Sequence, residues 1–188
     1  MRKIAIFASG GGSNAEAIIQ HFKDSALVQV ALIVTNKSTA GVIARADNHQ
    51  LPYRVINRSI LNDEEKMLPI LKDHNIDFIV LAGWLQLIPS FLVKAYKDSI
   101  VNIHPALLPA YGGKGMYGMH VHRAVKENKE MTSGMTIHLV NEEYDEGKHL
   151  FQASTLLDPT DSPEDIAAKV LKLEHKYYPK VIEYLISN

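Results

Sequence analysis

Residues 3–14 read KIAIFASGGGSN, an apolar run that ends in three consecutive glycines followed by a serine and an asparagine. A run that is apolar at nearly every position is typical of a strand covered on both faces of a parallel sheet. Glycines directly after such a strand are typical of the tight turn that leads into a helix, which we predict at residues 14–22. Because parallel strands need a crossover connection between them, this stretch indicates an α/β fold.

The same alternation of short apolar runs and helical patterns continues along the chain. Further strands are predicted at residues 27–34, 53–56, 78–82, 100–103, 133–140 and 149–156. Further helices are predicted at residues 41–49, 64–74, 90–96 and 119–127, with a long C-terminal helix after Ser162. Pro69 is expected to kink or interrupt the helix at 64–74. We therefore predict a mostly parallel central sheet with helices on both faces, formed by residues 1–188 as a single domain.

Composition limits the classes of function. The 188 residues include 20 basic and 21 acidic side chains, a formal net charge of −1, and no cysteine. The charge balance disfavours a nucleic-acid partner, and the lack of cysteine excludes disulfides, thiolate nucleophiles and cysteine zinc sites. No apolar stretch approaches the ~20 residues of a membrane span, and the N-terminus lacks a signal-like apolar region. We expect a cytoplasmic protein without a membrane partner.

The glycine loop at residues 9–14 predicts an anion site, because unpaired N–H groups meet the positive end of a helix dipole there. Gly10, Gly12 and Ala15 also fit the dinucleotide pattern G-x-G-x-x-A. However, the second strand ends in residues 34–37, VTNK, without the acidic residue that would bind the ribose hydroxyls. A monophosphate is therefore a better prediction than NAD.

Asn102 and His104 are two residues apart on a predicted strand, so both side chains leave the same face. They lie at the carboxyl end of that strand, the edge where ligands bind in open α/β sheets, and Pro105 follows them. An amide N–H and an imidazole on one face can donate to a developing oxyanion, and the imidazole can also move a proton. This pair predicts acyl-transfer chemistry.

A carboxylate is needed to orient the imidazole, and we predict Asp145 for this role. Glu142, Glu143 and Glu146 lie in the same acidic run and remain open as alternatives. A buried carboxylate beside His104 is expected to raise the pKa of the histidine and to keep it ready as an acid.

Other polar residues give weaker signals. His120 and His122 are two residues apart on a predicted helix and point in different directions, so we expect no metal site there, although His138 and His149 follow in the sequence. From its helical pattern alone, Glu174 is expected at a surface or partly buried position.

Taken together, these motifs are similar to those of the glycinamide ribonucleotide transformylase family over essentially the whole chain. The matching stretches are residues 9–14 (SGGGSN), 81–84 (LAGW), 102–109 (NIHPALLP) and 145–147 (DEG), with Gln152 downstream and residues 174–179 (EHKYYP) in the closing helix. The resemblance implies a single Rossmann-like formyltransferase domain. It also implies transfer of a formyl group from the co-substrate 10-formyltetrahydrofolate to the amine of glycinamide ribonucleotide, a step of purine biosynthesis, with no metal.

The resemblance also implies roles for individual residues. Asp145 would keep His104 protonated and relay protons through water, while Asn102 and His104 would stabilise the oxyanion. The remaining implied roles are phosphate binding by Gly12, Ser13 and Asn14, contact with the glycinamide portion by Glu174, and folate binding by Trp84, Leu85, Gln86, Leu87 and Asn102. The partners are then small-molecule substrates, and either a monomer or a homodimer is compatible with the sequence.

Three positions depart from the family pattern. Gln86 stands where many members have arginine, which leaves a backbone role there. Leu171 stands where some members use a lysine near the phosphate, and Lys169 and Lys172 are possible substitutes. Lys114 lies in a loop that is longer than the common version.

Two alternatives remain. A formyltransferase or deformylase of the same superfamily with another acceptor would use the same catalytic element, but such relatives usually have an additional domain, for which 188 residues leave no room. A non-catalytic nucleotide-binding module, or an NAD-dependent oxidoreductase, would not explain Asn102, His104 and a nearby carboxylate.

Overall fold

The computed structural model describes residues 1–187 and contains seven strands in one sheet. The strands are β1 (Arg2–Phe7), β2 (Val28–Thr35), β3 (Tyr53–Val55), β4 (Phe78–Leu81), β5 (Ile100–His104), β6 (Thr132–Leu139) and β7 (His149–Leu156). Their order across the sheet is β3-β2-β1-β4-β5-β6-β7. The first five strands run parallel, whereas β6 is antiparallel to β5 and β7 is antiparallel to β6. The predicted mostly parallel sheet is confirmed.

Helices cover both faces of the sheet. They are α1 (Ser13–Phe22), α2 (Val42–Asn48), α3 (Arg58–Leu61), α4 (Glu64–Asp73), α5 (Ser90–Ala95), α6 (Met119–Glu127) and α7 (Pro163–Ser187). The core on one face includes residues from α1, α2, α6 and α7, and the core on the other includes residues from α3, α4 and α5. The predicted arrangement of helices on both faces is therefore confirmed.

Two local features differ from the expectations. The short helix α3 was not predicted, because four residues are too few to show a helical periodicity. It begins after Asn57, whose side chain accepts a hydrogen bond from the backbone N–H of Ile60. Helix α4 continues through Pro69, so the predicted interruption is wrong, whereas the alternative, a kink, stays a prediction. The proline lacks an N–H and crowds the preceding turn, but tertiary packing of the buried Met67 and Leu71 keeps the turns together.

Strand β1 lies in the centre of the sheet, and this explains its continuous apolar sequence. Its residues Ile4 and Ile6 pack in the core on one face, while Ala5 and Phe7 pack in the core on the other. All four are fully buried. Because each large side chain of this kind contributes roughly 1.5–3 kcal/mol when buried, a polar residue at any of these positions would weaken the sheet at its centre.

The carboxyl ends of β1, β4 and β5 meet at one edge of the sheet, and α7 packs beside them. The hydroxyl of the fully buried Tyr178 on α7 lies 2.8 Å from the carbonyl oxygen of Leu81 and 3.1 Å from that of Val101. Glu174 stands one turn earlier on the same helix and therefore faces the same edge. Within residues 1–187, no helix is both long and apolar enough to cross a bilayer.

Candidate active site

A cavity of about 890 Å³ opens at the carboxyl edge of the sheet. This volume lies within the range of small-molecule sites. The structure brings all of the predicted site residues to the wall of this one cavity: Gly12, Ser13, Asn14, Trp84, Leu85, Gln86, Leu87, Asn102, His104, Asp145 and Glu174.

The glycine loop forms one end of the cavity. Gly12 has a φ of +71° and is the residue that precedes α1, so the loop enters the helix through a left-handed conformation. A Cβ atom at Gly12 would lie 2.7 Å from Cγ2 of Val42, which makes glycine the only residue that fits without displacement. The positions of Gly10 and Gly11 are open. The loop thus presents backbone groups, with no side chain in the way, to the cavity.

Asn14 and Glu174 meet where the glycine loop approaches α7. The Asn14 Nδ2 group donates a hydrogen bond of 2.6 Å to Oε2 of Glu174, whereas Oδ1 of Asn14 is buried without a partner among residues 1–187. Burial raises the pKa of Glu174. The helical pattern alone suggested a surface or partly buried position for Glu174, and this is wrong because Tyr178 holds this face of α7 against the sheet.

His104 ends β5 and is almost completely buried. Its Nε2 lies 2.7 Å from the carbonyl oxygen of Tyr111, and because a carbonyl only accepts, Nε2 must be protonated and donate. Its Nδ1 lies 3.5 Å from Oδ2 of Asp145. The ring is therefore held between a backbone acceptor and a carboxylate.

Asp145 is the acidic residue that lies beside the histidine. Its Oδ2 accepts a 2.9 Å hydrogen bond from the backbone N–H of Gly113, and its Oδ1 lies 3.5 Å from Nε2 of His138. Burial alone would raise the pKa of Asp145, but the neighbouring His138 and His104 rings and the Gly113 N–H together hold this pKa below its usual value. Of the three alternative acids, Glu143 alone lines the cavity.

The pKa of His104 is lower than that of an ordinary histidine. Asp145 raises this pKa as expected, but the expectation of a net rise is wrong. Burial lowers this pKa and is the largest effect; Asp145 and the hydrogen bond to Tyr111 raise it by less, and the charge of His138 lowers it further. The sequence indicated the carboxylate but not the depth at which the ring is buried. A further negative charge close to the ring would favour its protonated form.

The sequence indicates His138 only as a possible member of a histidine metal cluster, whereas the structure places it in the wall of the cavity. It lies directly opposite Asn102 in the antiparallel pairing of β5 and β6. Its Nδ1 lies 2.9 Å from the carbonyl oxygen of Leu139, so in the neutral ring Nδ1 donates and Nε2 accepts. Nε2 then accepts one Asn102 Nδ2–H at 3.1 Å, which orients the amide and leaves its second N–H unused by this contact.

The wall formed by residues 84–88 is mainly apolar. The Trp84 ring packs edge-to-face on Phe7 with the ring centroids 5.2 Å apart, and the side chains of Leu85 and Leu87 are exposed. Within it, two buried polar atoms, Nε1 of Trp84 and Oε1 of Gln86, have no hydrogen-bond partner among the described residues. This wall therefore fits a flat, largely apolar ligand that also has hydrogen-bonding groups.

Few positive charges face the cavity. Within residues 1–187, its only lysine or arginine residues are Lys37 and Lys114, and Leu171 is part of its wall. Lys169 forms an ion pair with Asp161 and is not part of that wall. His122, which was not expected in the site, is buried against the cavity, and its Nδ1 has no hydrogen-bond partner in the part of the chain that the structure describes. Among the same residues, no group of three or more His, Asp or Glu side chains is arranged to hold a metal ion.

Comparison with known proteins agrees with this geometry. The formyl transferase family matches residues 2–182. The chain is 43% identical to the chloroplastic phosphoribosylglycinamide formyltransferase of Arabidopsis thaliana, covering 96% of this chain and 64% of that protein. It also spans 61% of the counterpart from Vigna unguiculata, so it is considerably shorter than both plant relatives.

Bacterial relatives match over nearly their full length. The phosphoribosylglycinamide formyltransferase of Bacillus subtilis is 38% identical, with 99% of this chain and 95% of that protein covered. The crystal structure of the enzyme of that name from Bacillus halodurans superposes with a TM-score of 0.89 at 36% identity and covers 100% of this chain and 96% of its own. The chain therefore belongs to the formyl transferase family, among the phosphoribosylglycinamide formyltransferases.

Proposed function

We propose that the protein transfers the formyl group of 10-formyltetrahydrofolate to the primary amine of glycinamide ribonucleotide, a step of purine biosynthesis. The observation that best supports this is the position of Asn102, His104 and Asp145 in one cavity, between a glycine loop suited to a phosphate and an apolar wall suited to a pterin. The near full-length similarity to the Bacillus subtilis enzyme supports the same acceptor.

The two substrates would enter from opposite ends of the cavity. The phosphate would bind at Gly12, Ser13 and Asn14, where N–H groups precede α1. Glu174 would contact the glycinamide portion, and its hydrogen bond with Asn14 keeps the carboxyl group close to the phosphate end. The folate would lie along Trp84, Leu85, Gln86 and Leu87 and reach Asn102.

The chemistry needs no nucleophile from the protein. The amine nitrogen attacks the formyl carbon, a C–N bond forms, and the carbonyl oxygen becomes an oxyanion. The second Nδ2–H of Asn102, which His138 leaves unused, would donate to this oxyanion. When the tetrahedral intermediate collapses, the bond to N10 of the folate breaks, the amine loses a proton, and N10 gains one.

His104 would respond to the charge as it develops. Burial lowers the pKa of the His104 imidazole. A new negative charge beside the ring favours the imidazolium, so His104 would stabilise the oxyanion most strongly in the transition state, as catalysis requires. Asp145, 3.5 Å from Nδ1, would relay protons through water between the amine and N10.

The proposal also includes a single domain over residues 1–188, a cytoplasmic location, and activity without a metal as a monomer or homodimer. The net charge of −1 supports small-molecule substrates rather than a nucleic acid.

An acceptor panel tests the proposed function. Purified protein and 10-formyltetrahydrofolate are incubated with glycinamide ribonucleotide, with glycinamide lacking the ribose phosphate, or with no acceptor, and formylated product and free formate are quantified. Product should form rapidly with the ribonucleotide alone. Rapid release of formate without an acceptor would instead assign a deformylase, and folded protein with neither activity would exclude both.

A further inference from the structure

The glycine loop is held from its outer side by α2, away from the cavity. The carbonyl oxygen of Gly10 accepts a 3.1 Å hydrogen bond from the backbone N–H of Val42. The carbonyl oxygen of Gly11 accepts a 2.6 Å hydrogen bond from Nε of Arg45. Two successive carbonyl groups are thus fixed by one helix.

These contacts determine where the next N–H groups point. In a trans peptide the C=O and the following N–H lie in one plane and point in opposite directions. With the carbonyl groups of Gly10 and Gly11 held towards α2, the N–H groups of Gly11 and Gly12 point away from that helix, and both residues line the cavity. Neither N–H has a partner among the described residues.

Arg45 is itself held in place by α1. Its guanidinium lies 3.3 Å from Oε2 of Glu16, whose Oε1 lies 2.8 Å from Nε2 of His49. Burial alone would raise the pKa of Glu16, but hydrogen bonds from Gln20, His49 and Arg45 together lower it, so Glu16 is a carboxylate at neutral pH. The Arg45 side chain is 34% exposed and is not part of the cavity wall.

We propose that Arg45 is a positioning residue for the phosphate end of the site. By holding the Gly11 carbonyl outward, it keeps the Gly12 N–H directed into the cavity, where that group and the Gly11 N–H bind a phosphate. The identity of the phosphate ester rests on the proposed function, but the orientation of the loop does not. The role is indirect, because Arg45 acts through the loop and not by contact with the substrate.

Inorganic phosphate is the probe that tests this role. Its dissociation constant is measured for wild-type protein, Arg45→Met and the control Arg54→Met. Arg54 lies on the exposed edge strand β3, and its guanidinium donates a hydrogen bond to the adjacent Tyr53 carbonyl. Arg45→Met should weaken phosphate binding about tenfold or more, and Arg54→Met should have no effect. The backbone amide NMR signals of Gly11 and Gly12 should shift on phosphate addition in the wild type and much less in Arg45→Met.

Steady-state kinetics give the second test. The KM for glycinamide ribonucleotide should rise in Arg45→Met, while kcat and the KM for the folate stay within about twofold, because a merely destabilised protein would not separate the substrates in this way. If Arg45→Met does not fold, Glu16→Gln, which loosens the same guanidinium, should show the same pattern more weakly.

Three results would overturn the proposal. The first is an unchanged phosphate affinity in folded Arg45→Met, and the second is that the Gly11 and Gly12 amide NMR signals of this variant respond to phosphate as in the wild type. The third is a loss of phosphate affinity that disappears at high salt, which would indicate only a long-range effect of the Arg45 charge. Failure of the proposed function would look different. The wild type would then bind phosphate through these amides, lose that binding in Arg45→Met, and yet not formylate the ribonucleotide.

Discussion

Asn102→Ala should slow formyl transfer severely with little effect on substrate binding. The Asn102 amide has two N–H groups, one bonded to Nε2 of His138 at 3.1 Å and one available to the oxyanion. Loss of one oxyanion donor typically lowers kcat by ~10²–10³, or about 2.7–4 kcal/mol in the barrier. Because the oxyanion exists only near the transition state, the KM for glycinamide ribonucleotide should change little.

The same substitution has a smaller, calculable effect on stability. It removes the hydrogen bond to His138, which is worth about 0.5–1.5 kcal/mol, and for a chain of this size each kcal/mol lowers the Tm by about 2–4 °C. Single-turnover rates measured well below the Tm separate the two effects. Asn48→Ala, at an exposed position on α2, is the matched control and should retain wild-type rates.

A second variant tests how the amide is oriented. His138→Phe removes the acceptor for Nδ2, so the Asn102 amide can turn over and present its oxygen instead. Equal populations of the two amide orientations would lower kcat by about twofold. A preference for the orientation that presents the amide oxygen would lower kcat further, at most to the value in Asn102→Ala. Two results would refute the oxyanion role of Asn102. One is a folded Asn102→Ala variant with a kcat within about fivefold of the wild type, and the other is a defect of that variant in KM and not in kcat.

Three further perturbations have defined outcomes. Asp145→Asn should lower activity and alter the acidic limb of the pH–rate profile. An unchanged profile would instead assign the role of carboxylate partner of His104 to a neighbouring glutamate. The pKa values of His104 and His122 are lowered mainly by burial, so the unfolded chain binds more protons than the folded one near and below pH ~6.5. Stability should therefore fall as the pH drops from 7.5 to 5.5; equal urea midpoints at the two pH values would contradict this prediction. Gly12→Ala places a methyl 2.7 Å from Val42 at a φ of +71°, costs about 1–3 kcal/mol in strain, and should lower Tm and raise the ribonucleotide KM; an unchanged Tm would contradict the strain.

Much of the architecture follows from local pattern. The apolar run of β1 predicts a covered central strand, and residues 4–7 are indeed buried alternately in the two cores. Asn102 and His104 could be placed on one face from their spacing alone, because the strand period is two. Their position at the ligand-binding edge followed from the parallel alternation of strands and helices.

Other parts of the site depend on long-range contacts that one sequence does not reveal. His138 reaches Asn102 only through the antiparallel register of β5 and β6. The lowered pKa of His104 depends on how deeply the ring is buried, which its neighbours in sequence do not determine. Arg45 reaches the Gly11 carbonyl from a separate helix, 34 residues further along the chain. Each of these three features is determined by packing between secondary-structure elements.

The fate of the formyl carbon is the most direct test of the proposed formyl transfer. With 10-formyltetrahydrofolate labelled with ¹³C in the formyl group and an equimolar amount of glycinamide ribonucleotide, ¹³C NMR follows that carbon during one turnover by the wild-type protein. The label should move to the primary amine nitrogen of the ribonucleotide and give a new formamide signal, and this transfer should become severely slower in Asn102→Ala. Label that appears as formate, or that remains on the folate, would contradict it.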